Sequence, residues 1–321
     1  MAVRAHTSHT LIDLANRLDP KGELATIVNI LDETNEIIAD APYQRANGET
    51  YHRITQRGGL PFGFWRRFYK GVPNEKSTTI QRDEPIGMLE AYSEVDKALV
   101  EIAPNPKRYR RNEAAAFREG MERTFAATLI YGDAGIDTEQ FTGLAPRLAD
   151  ASADNFADGG GSGSDLTSIY LVDWGVDKVS LIYPKSHKSA GISHEDLGEV
   201  TLFDSDNNKF QGYRDHFKIH VGLQVSDPRR SARYGNIETS GSSNIFDEDN
   251  LIELLNKMPR RGQGAVLYCN TTIFTQMDIA AKDKSNVNYT WTDAFGRPTM
   301  TFRGRPVRLV EQILNTETQV T

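Results

Sequence analysis

The chain has 321 residues and a net charge of −7, from 37 Lys and Arg against 44 Asp and Glu. An apolar fraction of 38% and a charged fraction of 25% exclude wholesale disorder, and the acidic balance excludes a polycationic packager of nucleic acid. One cysteine, Cys269, can neither close an internal disulfide nor build a zinc cluster, and no apolar run reaches the roughly 18 residues of a membrane helix, so a soluble cytoplasmic protein without a leader is expected.

Residues 1–45 read as an arm. Thr10 and Asp13 form a capping-box pattern, Leu11, Leu14 and Leu18 recur at helical spacing, and Pro20 stops the turn. Leu24, Ile27, Val28 and Leu31 repeat the pattern before Pro42. Such an apolar stripe, with no core beside it, needs a partner. From about 46 to 81 the pattern changes to β-prone pieces, YHRITQR and KSTTIQR, around the tip GGLPFGFWRRFYKGVPNE, which predicts a long hairpin. Residues 45–82 carry eight Arg or Lys against Glu49 and Glu75, whereas residues 1–44 carry seven Asp or Glu against three Arg or Lys. Projections of opposite charge favour pairing between copies. Phe62, Phe64, Trp65, Arg66, Arg67, Phe68 and Tyr69 are the candidate contact residues. Aromatics beside cations suit single-stranded bases or a protein interface, and the acidic balance favours the interface.

Tyr92–Ile102 is expected to form a short helix stopped by Pro104 and Pro106. A long helix is expected over 112–131, with Asn112 as N-cap and Phe117, Met121, Phe125 and Leu129 as its core face. The stretch 149–165, ADASADNFADGGGSGSD, reads as a flexible connector. SIYLVDWG and KVSLIYPK read as a hairpin turning at Gly175–Lys178, followed by a long strand system through GYRDHFKIHVGLQV and SARYGNIE. Asp249–Met258 is expected to be helical, GAVLYCN a buried strand, Thr271–Lys284 a helix and FRGRPVRLVEQIL a strand.

Motifs that carry chemistry fail on inspection. GGGSGS lacks the lysine of a phosphate loop and the last glycine of a nucleophile elbow. Asp204, Asp206 and Asn208 start like a calcium loop, but Lys209 stands where glycine is required, so a polar turn is expected. His216 and His220 lie about 13 Å apart on a strand and cannot share an ion. His187 and His194 lack a third ligand. Cys269 sits in an apolar strand as inert packing. No catalytic residue, metal or cofactor is expected.

The ordered segments TLIDLANRLDP, HRITQRGGLPFGFWRRFYKGV, KSTTIQ, GMLEAYSEVDKAL, FTGLAPRL, LGEVT, YCN and FRGRPVR resemble the major capsid proteins of short-tailed bacteriophages over residues 10–315. The resemblance implies an α+β chain of the Hong Kong 97-like capsid fold. It further implies an N-terminal arm (1–45), an E-loop (46–86), a peripheral domain (87–245) with a spine helix at about 112–131, and a mainly axial domain (246–321). Because the long-sheet strands precede the axial segment, a permuted connectivity is expected. No covalent cross-linking pair can be assigned.

The function so implied is structural. Copies assemble as hexamers and pentamers into an icosahedral head around double-stranded DNA, in the virion capsid after assembly in the host cytoplasm. Scaffolding, portal and possible decoration proteins would be partners, and no membrane is involved. The alternatives are an encapsulin-like nanocompartment shell, a nucleic-acid-binding module using Trp65–Tyr69, and a hydrolase using His194 or Asp196.

Overall fold

The computed structural model describes residues 35–204, 206–241, 243–282, 288–294 and 297–321, with the backbone alone between 291 and 298. Leu11, Leu14 and Leu18, with most of the expected arm, lie outside the described residues. The first elements are α1 (Glu36–Asp40), β1 (Tyr43–Arg45), β2 (Tyr51–Gly59), β3 (Thr78–Pro85), β4 (Gly87–Asp96), α2 (Lys97–Ile102), α3 (Pro106–Tyr131) and α4 (Leu144–Arg147). Strands β5 (Phe156–Asp158), β6 (Leu166–Val172), β7 (Val179–Tyr183), β8 (Ser193–Phe203), β9 (Lys209–Val225) and β10 (Ser231–Glu238) follow. The chain closes with α5 (Glu248–Lys257), β11 (Val266–Cys269), α6 (Thr271–Ala281), β12 (Tyr289–Ala294), β13 (Arg297–Phe302) and β14 (Arg305–Leu309).

Two compact units result. The smaller takes residues 88–125 and 191–220, and the larger takes 35–87, 126–190 and 221–321 of the described chain. In the smaller, Val95, Leu99, Val100, Ala103 and Tyr109 form the core against Tyr213. Its surface carries the ion pairs Lys97–Glu199 at 2.8 Å, Arg110–Asp196 at 2.7 Å and Arg214–Glu94 at 2.6 Å.

The helical boundaries there differ from expectation. Tyr92–Asp96 is strand, and only Lys97–Ile102 is helical, with Asp96 accepting from the Ala98 N–H. Helix α3 starts at Pro106, six residues before Asn112, and is about 39 Å long. Asn105 is its cap, its side chain accepting from Arg108 N–H at 3.1 Å. Proline at the first helical position sacrifices only a donor that has no partner there, so Pro106 opens the helix. Met121, Phe125 and Leu129 are buried as expected, and Phe117 is half-buried.

The larger unit is built on a seven-stranded sheet in the order β12-β13-β14-β11-β6-β10-β5. All residues of β6 are buried, and the strand pairs antiparallel with both β10 and β11. Ile169, Leu171, Leu251, Leu254, Leu267, Ile273, Met277 and Phe302 belong to one apolar cluster with α5 and α6. Each such side chain taken from water contributes roughly 1.5–3 kcal/mol. Asp247 caps α5 and Asn270 caps α6, the latter accepting from Ile273 N–H at 3.0 Å.

β6 and β7 do not form the expected hairpin. β7 pairs parallel with β1 and antiparallel with β9, in a different sheet. Between them the buried Asp173 binds Lys178 and Arg230, each at 2.6 Å. Likewise β9 and β10 separate into two sheets, so β10 and β6 join β11 and β14 across the expected domain boundary near 245. The strands expected to form the long sheet ahead of the axial segment are thus divided between two sheets.

The glycine-rich stretch is also ordered where flexibility is expected. Phe156 is buried and β5 runs parallel to β10 at the sheet edge. Gly159 and Gly161 donate their N–H groups to Gly235 O and Asn236 O, each at 2.9 Å. A Cβ at either glycine would stand 2.6 Å from Asn236 O, so glycine here permits close backbone approach.

Candidate subunit interface

Strands β2 and β3 form a sheet of their own, pairing from Tyr51 with Pro85 up to Gly59 with Thr78. The register shifts between Arg57 and Gly59, placing a bulge at Gly58 where the strands give way to the tip. Across the exposed face, Arg53 grips Asp83 with two hydrogen bonds of 2.7 Å and lies over the Tyr51 ring. The Arg53 guanidinium holds the Asp83 carboxyl below its ordinary proton affinity. As an exposed pair it contributes little to stability.

The root carries the stronger contacts. Glu84, 4% exposed, takes two hydrogen bonds from Arg147 at 2.9 and 2.5 Å, and Arg147 also donates to Thr142 O and Leu223 O. Opposite Glu84 in the register, the buried His52 accepts the Asn47 N–H on Nδ1 at 3.2 Å. Burial lowers its proton affinity, partly offset by Glu84. Gln56 donates to Ser226 O at 2.8 Å, and a Cβ at Gly222 would overlap Pro85 O. The hairpin is therefore fastened to the larger unit at its root.

Beyond the root nothing among the described residues covers it. Every residue from Leu60 to Asp83 is exposed. Phe62 is 77% exposed, and Trp65, Phe68 and Tyr69 are essentially fully exposed. Phe64 is 46% exposed, and Arg66 and Arg67 make no ion pair among the described residues. The tip turns at Phe68–Tyr69, where Lys70 N–H reaches Arg67 O at 3.3 Å and Tyr69 has φ 61°. Single exposed apolar residues are ordinary, but a contiguous group with cations among them marks an interaction surface. All seven candidate residues of the tip thus lie together on one projection.

The other singled-out residues have local roles. His216 stacks on Tyr92 at 4.3 Å and approaches Glu90 at 3.2 Å. His194 stacks on Phe217 and lies 2.9 Å from Asp215. Asp204 accepts from the N–H groups of Asp206 and Asn208, as a polar turn requires. Cys269 is fully buried, and burial pushes its thiol far above the reactive range.

Sequence reasoning missed the Glu84–Arg147 clasp and a buried network on the C-terminal segment. Glu317 pairs with Arg233 at 3.0 Å and accepts from Tyr131 at 2.6 Å and Tyr170 at 3.1 Å, while Ser168 also donates to it. Val320 and Asn236 exchange two further hydrogen bonds. No local pattern announces partners 63 or 84 residues apart.

The mixed α+β layout, the projecting hairpin and the long helix define a shell protein of the Hong Kong 97-like kind. A chain in the structure of bacteriophage Epsilon15 matches with 30% identity and a TM-score of 0.71, covering 100% of this chain and 99% of that one. The capsid of bacteriophage JBD30 matches in fold alone, at 10% identity and a TM-score of 0.50 over 88% of this chain and 91% of that one. An encapsulin of Synechococcus elongatus reaches 11% identity and a TM-score of 0.49, over 73% of this chain and 98% of that one. A search of curated proteins returned no match. The family model for major capsid protein GP7 matches residues 19–321, and the chain belongs to that family. It is accordingly a structural protein of the virion, and copies of it form the icosahedral shell of a tailed phage.

Proposed function

We propose that the hairpin tip is the E-loop through which one copy grips the next. Phe62, Phe64, Trp65, Phe68 and Tyr69 supply the apolar anchors, and Arg66 and Arg67 pair with carboxylates on the neighbour. The observation that carries this is the exposure of every residue from 60 to 83 on a projection whose root is clasped by Arg147 and Glu84. Leu11, Leu14 and Leu18 of the N-terminal arm play the same part on another neighbour.

Copies join as hexamers and pentamers, and each contact is modest while closure multiplies them. Gly63 and Gly71, with open space where a Cβ would sit, let the tip bend between unlike positions. In the terms of the resemblance, the seven-stranded sheet with α5 and α6 is the axial domain, and α3 is the spine helix of the peripheral domain. The shell encloses double-stranded DNA without reading its sequence. Scaffolding, portal and decoration proteins complete the partner set, assembly taking place in the host cytoplasm.

Trp65→Ala tests the grip. The variant should keep its circular dichroism and remain folded, yet fail to give closed particles by sedimentation and electron microscopy. Normal shells from that variant would remove Trp65 as an anchor.

A further inference from the structure

The chain carries a second cationic surface, at the C-terminal end of α5. Helix α5 ends at Lys257, and the turn Pro259–Gly262 follows. Arg260 and Arg261 are both left-handed there, with φ of 54° and 56°, and Arg303 has φ 50°. Seven described non-glycine residues have positive φ; three are asparagines, which tolerate it, and one is Tyr69 at the hairpin tip. The remaining three are these arginines. Backbone strain is therefore concentrated at exposed arginines, of which Arg303 also donates from Nε to Asn288 Oδ1 at 3.1 Å, and such strain is associated with functional sites.

The two turns are fastened together. Arg305 donates from Nη1 to Arg303 O at 2.6 Å, from Nε to Gly262 O at 3.2 Å, and from Nη2 to Arg261 O. Burial and the nearby Arg303 charge lower the proton affinity of Arg305. The turn Pro228–Arg230 lies against Pro259–Gly262, and the carboxylates beside it are engaged. Asp227 holds Arg229 at 2.9 Å, and Asp173 holds Arg230 and Lys178. Lys257, Arg260 and Arg261 are exposed and have no ion pair among the described residues.

Composition decides between kinds of partner. At the hairpin tip the cations stand among five exposed aromatics, as in a protein interface. The turns at 228–230, 257–264 and 303–305 expose no large apolar side chain. Contacts to a phosphate backbone need only placed cations, and the arginine fork matches phosphate oxygens in pairs. We propose that Lys257, Arg260, Arg261 and Arg303 form a binding surface for the phosphodiester backbone of the double-stranded DNA inside the shell. This rests on the reading that the shell encloses DNA.

The test uses the unassembled full-length chain and a labelled duplex of about 20 base pairs, long enough for several phosphate contacts. Fluorescence anisotropy is followed across sodium chloride concentrations. Arg260→Gly with Arg261→Gly removes both charges and suits positive φ, so the fold is retained, as circular dichroism would verify. The slope of log affinity against log salt should fall by about 1.8, since each lost phosphate contact removes about 0.9. Weakening should be equal for duplexes of different sequence. An unchanged slope, or a wild-type chain that does not bind duplex, overturns the proposal. So does inorganic phosphate competing fully at matched ionic strength, which would mark a single-anion site. Loss of shells with unchanged duplex binding overturns it in favour of a contact between copies. Shell formation by the wild-type chain is scored separately, so failure of the shell reading and failure of this surface are distinguishable.

Discussion

The β2–β3 hairpin and the β6–β10 pair are both antiparallel, and their strands are of similar length, nine and eight residues against seven and eight. In β6 every residue is buried, whereas β3 is exposed along all its length except Glu84 and Pro85. Two strands alone are marginally stable in water, and a sheet covered by helices is not. The sheet is therefore covered within one chain, while the tip of the hairpin has no cover among the described residues, which is what the proposed grip on another copy would use. On the proposed reading, that division lets a folded subunit exist before assembly with its contact surface still open.

Breaking the sheet side should have the largest effect. Arg233→Met leaves Glu317 buried without its partner and should cost about 4 kcal/mol, read as a lower urea midpoint with unchanged slope. A midpoint within error of wild type would mean that Tyr131, Tyr170 and Ser168 satisfy Glu317 by themselves.

At the root of the hairpin, Glu84→Gln weakens the clasp with Arg147 and should cost about 2 kcal/mol. Faster amide hydrogen exchange confined to residues 51–59 and 78–85 would separate loosening of the hairpin from general destabilisation. Uniform acceleration across β6 and β10 would show instead that the clasp supports the whole unit.

His52 gives a smaller effect with a defined sign. Its proton affinity is lowered in the folded chain, so the unfolded chain takes up the proton at higher pH. Its part of the stability is complete above the ordinary histidine value of about 6.5 and declines as the pH falls below it. His52→Gln should flatten that part of the curve of urea midpoint against pH, and an unaltered curve would exclude the residue.

The smallest effect on stability belongs to the tip. Trp65→Ala should move the unfolding free energy by under about 0.5 kcal/mol, because the side chain touches nothing it must leave. A larger loss would show that the aromatics pack on the chain's own surface, which would blur the contrast between tip and sheet.

Local signals carried the hairpin, its aromatic tip, the helices at 248–257 and 271–281 and the strand at 266–269, because period, caps and turn residues act within a few positions. The strands that pair far apart in sequence were not legible in that way. Apolar runs such as SIYLV and VSLIY look alike, and which sheet each joins depends on partners 40 or more residues away. Pro106 and Gly159–Gly161 show the same limit at single residues. Proline can stop or open a helix, and glycine can serve a loose linker or a close backbone approach.

What the sequence determined by itself, then, was most of the helices and strands and an exposed apolar hairpin tip, since hydrophobic periodicity and its absence are local properties. What only the tertiary structure decided was the division of the strands into two sheets, the Glu84–Arg147 clasp, the Glu317 network and the gathering of Arg260, Arg261 and Arg303. Each of these depends on side chains brought together by the fold, where burial removes water and makes every hydrogen bond and charge answer to a particular partner.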